Sequence, residues 1–147
     1  MLRLNYFVIF FLIMSFQANS QKFSLGKVSL KELQEKKCPT DTNAVAAILF
    51  SKAKTIYIYE KEGFFLNHIY EFRVKIYDKK GLDWANIKVP YYVGYKNIRS
   101  DIVTFSDCVT YNVVNNEIVK TKIKSEGIFD TKTNEYWNEA SATMPNV

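Results

Sequence analysis

The stretch Gly63–Tyr92, GFFLNHIYEFRVKIYDKKGLDWANIKVPYY, decides the fold class. Every second residue from Phe64 to Ile76 is large and mostly apolar: Phe64, Leu66, His68, Tyr70, Phe72, Val74 and Ile76. Asn67, Glu71, Arg73 and Lys75 fall between them. A period of two is the period of a β-strand, whose successive side chains point to opposite faces. The alternation predicts a strand with the first set on a core and the second facing water, as in antiparallel sheets. Asp78-Lys79-Lys80-Gly81 supplies turn chemistry, and Leu82–Tyr92 is expected to run back as the partner strand. Beside Gly81, the pair Asp83-Trp84 is expected to set the turn and fill the core.

Upstream, Ala44–Phe50 is an apolar run of strand length, and Thr55–Tyr59 consists of the β-branched and aromatic residues that strands favour. Ser51-Lys52-Ala53-Lys54 is expected to join them as a hairpin loop. Before them, Ser29 can cap the amide of Glu32, and Val28 can staple onto Leu33, which predicts a short helix from Leu30 to about Lys36. Pro39 stops it, because the residue before a proline is pushed out of the helical region. Downstream, Val93–Asp101 reads as a loop, Ile102–Val113 as a strand, Asn115-Asn116 as a turn and Ile118–Ile123 as the returning strand. Lys124–Val147 is less regular, and the chain stops where a further strand is expected to cover an edge. The expected fold is all-β: an antiparallel, immunoglobulin-like β-sandwich with one short N-terminal helix, incomplete at its C-terminal end.

Residues 1–20 are read apart from this. Arg3 precedes an almost unbroken apolar run, Tyr6–Phe16, and Ala18 and Ser20 place small residues before a cut at Gln21. That is the pattern of a secretory signal peptide, and the run is shorter than the roughly 20 residues that a membrane crossing requires. Removing 20 of the 147 residues leaves 127, which suits a single domain, 21–147. Without Arg3, 19 basic residues face 15 acidic ones, and the lysines are scattered, so no nucleic-acid surface is expected. An exported chain with two cysteines, Cys38 and Cys108, allows a disulfide closing a loop of about 70 residues, worth roughly 4 kcal/mol. A small unpaired thiol within a strand is equally natural for Cys108.

Several pieces in order resemble a known family. They are Lys75-Ile76-Tyr77, Gly81-Leu82-Asp83-Trp84-Ala85, Val89-Pro90-Tyr91-Tyr92, Thr110-Tyr111-Asn112, Ile118–Lys122, Ile128-Phe129-Asp130 and Thr143–Val147. In this order the chain resembles the domain of unknown function numbered 3857, and the resemblance covers nearly all of residues 23–147. That family is the N-terminal β-sandwich of exported envelope proteins carrying a transglutaminase-like domain further on. The resemblance implies a periplasmic or envelope location, a downstream transglutaminase-like domain as partner, a further strand after Val147, and no catalytic residue in this domain.

The residues themselves carry no catalytic, cofactor or metal constellation. A papain-type site needs a cysteine, a histidine and a group to orient it, whereas His68, the only histidine, sits in the apolar parity of the central strand and reads as a packing or edge residue. The cysteines lie far apart, and Asp41, Asp101, Asp107 and Asp130 form no calcium-loop pattern. One surface feature stands out. Tyr91, Tyr92 and Tyr95 cluster around Pro90 and Gly94, and tyrosines in a loop can stack on a sugar ring or fill a protein interface. Two functions are therefore expected: a non-catalytic accessory domain, or a free-standing envelope module binding glycan or protein.

Overall fold

A computed structural model describes residues 24–61, 63–94 and 100–147; the signal-peptide reading and Tyr95 lie outside the described residues. The described chain is all-β and antiparallel. It contains one short helix, α1 (Leu30–Gln34), and seven strands. These are β1 (Ala46–Glu60), β2 (Gly63–Ile76), β3 (Asn86–Tyr92), β4 (Val109–Val114), β5 (Glu117–Lys122), β6 (Ile128–Lys132) and β7 (Trp137–Thr143). They form three small sheets, with orders β1-β2, β3-β7-β6 and β4-β5.

The start of α1 forms as its sequence dictates, with Ser29 Oγ accepting from the Glu32 amide at 3.2 Å. The turn between β4 and β5 is equally local. Asn115 and Asn116 take φ of 51° and 64°, the left-handed pair that a two-residue hairpin requires and that asparagine tolerates.

Four expectations are corrected. Ser51–Lys54 is not a loop: β1 runs unbroken through it, paired residue for residue with Phe72–Ile69. The one irregularity is a bulge between Ile48 and Phe50. Leu82–Tyr92 does not return along β2. A 3-10 helix, Lys79–Ala85, takes up the first part, and β3 pairs with β7. Ile102–Cys108 is not strand, and Asp107 interrupts it with a φ of 52°. Finally, the C-terminal region holds two strands, with β7 the centre of the three-stranded sheet.

The turn after β2 is fixed by backbone packing. The amides of Tyr77 and Asp78 both donate to the Val45 carbonyl, at 2.8 and 3.2 Å, and Gly81 is buried against the same group. A Cβ on Gly81 would lie 2.7 Å from the Val45 oxygen, so only glycine fits. Asp78 caps the 3-10 helix by accepting from the Lys80 amide at 2.9 Å. Trp84 does not fill a core: it is 51% exposed, and Asp83 is exposed beside it.

Among the described residues, the buried apolar positions are all small: Cys38, Ala85, Ala140 and Ala142. Ala140 and Ala142 lie on the face of the β3-β7-β6 sheet shared by Val89, Ile87 and Ile128. None of the large side chains among the described residues is fully buried.

Candidate functional site

The long hairpin β1-β2 is the element that stands apart. From Ser51 to Tyr70, only Ile56, Gly63 and Phe65 among the described residues are even half-buried. Its strands pair with each other throughout, and at the base they meet the 3-10 helix. At about 3.3 Å per residue, the nine residues Ser51–Tyr59 make an arm of about 30 Å.

The register sorts the arm into two faces. Tyr59 pairs with Phe64, Tyr57 with Leu66, Thr55 with His68, Ala53 with Tyr70 and Ser51 with Phe72. This face carries no lysine, arginine, aspartate or glutamate. Its apolar members are open to solvent: Tyr57 75%, Tyr59 73%, Phe64 77%, Leu66 53%, Tyr70 70% and Phe72 40% exposed. Tyr59 and Phe64 stack in tilted geometry at 4.9 Å, and Thr55 Oγ1 bonds His68 Nδ1 at 2.9 Å. His68 is therefore a hydrogen-bonded, exposed residue of this face. The opposite face holds the charges Lys52, Lys54 and Glu71, with Lys52 and Glu71 paired at 3.4 Å.

The expected polarity of β2 is thus reversed. The parity predicted to lie on a core is the exposed one in the arm, and the polar parity is put to use nearer the base. Arg73 Nη1 donates to the carbonyls of Ser24 and Lys27, at 3.1 and 2.6 Å, and Nη2 meets Glu32 Oε1 at 3.0 Å. Lys75 Nζ donates to the Glu32 carbonyl and lies 3.8 Å from Glu35 Oε2. Two cations on β2 therefore hold residues 24–35 as a strap, although none of the residues of α1 is fully buried. Gln34 Nε2, donating to Asn116 Oδ1 at 2.8 Å, ties the helix to the β4-β5 turn.

Beside the strap lies Cys38. Its thiol is 3.3 Å from Thr40 Oγ1, and hydrogen bonding to Thr40 and Asp41 lowers its pKa below the usual thiol value, making it more acidic. Burial pushes Cys108 the other way. Both thiols are free, so the bridge that the cysteine count allowed is absent, each sulfur being engaged within its own loop. Tyr77, under Lys75 Nζ at 4.7 Å from the ring centroid, has its phenol pushed up to about 12, first by burial and then by negative charge at Cys38 and Glu35. Its hydroxyl is shut off from water, and Cys38 acts on it both through charge and through side-chain hydrogen bonding.

The tyrosine cluster is not a free loop. Tyr91 and Tyr92 belong to β3. The Tyr91 hydroxyl donates to Asp130 Oδ1 at 3.0 Å and accepts from Asn138 Nδ2 at 3.3 Å, which locks it across the sheet. Tyr92 packs edge-on against Trp137 at 5.9 Å, on the other face. The two rings point to opposite sides, so they do not form one platform.

A second open feature joins the base of the arm to the 3-10 helix. It is a depression of about 300 Å³ lined by Phe72, Asp83, Trp84, Asn86 and Ile87. Among the described residues no group of three or more His, Cys, Asp or Glu could hold a metal ion, and no helix is long and apolar enough to cross a membrane. Sequence reasoning missed Tyr57 and Tyr59 as surface residues; the missing signal was the register that sets them beside Leu66 and Phe64. No family model matches the chain, and no curated protein or solved structure matches it.

Proposed function

We infer that this chain is a non-catalytic accessory domain of an exported envelope protein that carries a transglutaminase-like domain downstream. The observation that carries the reading is the lack of a closed core among the described residues: the buried apolar residues are small, while eight large apolar side chains of the arm stand in solvent. Burial of apolar surface is the main favourable term in folding, so a domain built this way is completed by contact with further protein. The resemblance over residues 23–147 supplies the protein to which the domain is attached. On the same reading the three small sheets are parts of one immunoglobulin-like sandwich.

A second reading is a free-standing envelope module that binds glycan or protein. The depression at Trp84 favours it, since an exposed indole beside the carboxylate of Asp83 and the carboxamide of Asn86 can stack on and hydrogen-bond to a sugar. The denatured mass of the native protein, captured from the envelope fraction with an antibody to this domain, separates the two. The accessory reading expects a mass far above 17.1 kDa; a mass near that of residues 21–147 overturns it in favour of the second.

A further inference from the structure

We propose that the charge-free face of the β1-β2 arm is a docking surface for a second copy of this chain, the two arms packing face to face about a two-fold axis. This goes beyond the accessory reading, which concerns what the domain is attached to. Three observations choose the occupant. The first is charge. The face from Ser51 to Tyr59 and Phe64 to Phe72 bears no lysine, arginine, aspartate or glutamate, its one basic group being His68, hydrogen-bonded to Thr55, while Lys52, Lys54 and Glu71 are confined to the other side. A two-fold interface sets a surface against itself, so any charge on it meets a like charge, and this face has no permanent one.

The second is area. A large aromatic buries about 150–250 Å². At the observed exposures, Tyr57, Tyr59, Phe64, Leu66, Tyr70 and Phe72 together offer about 600–950 Å² per copy. A stable interface buries about 800 Å² per partner. The third is shape. Thr55 and His68 pair at the middle of the face, with Tyr57, Tyr59, Phe64 and Leu66 toward the tip; toward the base β1 is small, with Ser51 and Ala53, while β2 carries Tyr70 and Phe72. An antiparallel two-fold through Thr55-His68 sets β1 over β1, so that Tyr57 and Tyr59 of each copy lie over the small end of the other at Ser51 and Ala53, and sets the apolar Phe64 and Leu66 over Tyr70 and Phe72. A lone two-stranded hairpin is marginal in water, and two stacked about 10 Å apart make a small sandwich.

The test is the native mass of the secreted protein, purified at its native length, by sedimentation equilibrium from nanomolar to high micromolar concentration. A mass of twice the denatured mass is expected. Leu66→Arg, at a site already exposed, should raise the dissociation constant about a hundredfold or more, since each copy brings a charge into the interface. Ala53→Trp should weaken pairing by blocking the small end, and Lys54→Ser, on the opposite face, should leave it unchanged. A monomer throughout the range overturns the proposal, as does a dimer that survives Leu66→Arg but falls to Lys54→Ser. If the arm is instead covered by another domain of the same protein, the native and denatured masses agree, which refutes the second copy while leaving the accessory reading intact.

Discussion

Tyr77 shows at the residue scale how position overrides composition. It is one of ten tyrosines, and the resemblance piece Lys75-Ile76-Tyr77 that contains it says nothing of its surroundings. At the end of β2 its amide is held by Val45, its ring lies under Lys75, and its hydroxyl is buried beside Cys38. The phenol is pushed up to about 12, above the roughly 10 of an unfolded chain. A folded value above the unfolded one favours the protonated form, so this contribution to stability is whole below about pH 10 and is lost as pH rises toward 12. Urea denaturation across that window should show a smaller alkaline loss for Tyr77→Phe than for the parent chain; equal losses would rule out Tyr77 as the source. Gly81 makes the same point. The sequence marked it as a turn glycine, whereas its need is steric: there is no room for a Cβ against the Val45 carbonyl.

At the scale of elements, the strap formed by residues 24–35 is held by polar contacts from β2 and not by apolar burial. The cap at Ser29 was legible, because it depends on residues three apart. The docking was not, because nothing local to Arg73 reveals that its partners lie more than 40 residues away. Arg73→Met should lower stability by about 1–3 kcal/mol, the range for hydrogen bonds to a charged group. Hydrogen exchange should then rise across residues 24–35 and stay unchanged across β6-β7. Protection that persists in the strap would show that Lys75 and Gln34 hold it alone. The unbroken β1 has a related explanation. Ser51-Lys52-Ala53-Lys54 contains no glycine, proline or asparagine to turn the chain, and β2 supplies a partner for every residue of it.

At the scale of the whole molecule, the described residues form seven strands in three sheets, and none of their large side chains is fully buried. Stability should therefore be shared with whatever covers the arm. If that is a second copy, the urea midpoint rises with protein concentration, each tenfold step adding about 1.4 kcal/mol. A midpoint independent of concentration counts against pairing. Antiparallel all-β character, the Ser29 cap and the Asn115-Asn116 turn follow from residues within a few positions of one another, where side-chain period and backbone preference act directly. Which strands became neighbours, and which side of β2 met water, were settled only by tertiary structure. The alternation in Phe64–Ile76 shows that the two faces differ. A core forms on one of them only where another apolar surface is brought against it, and here the folded chain brings the strap to the polar side and leaves the aromatic side of the arm open.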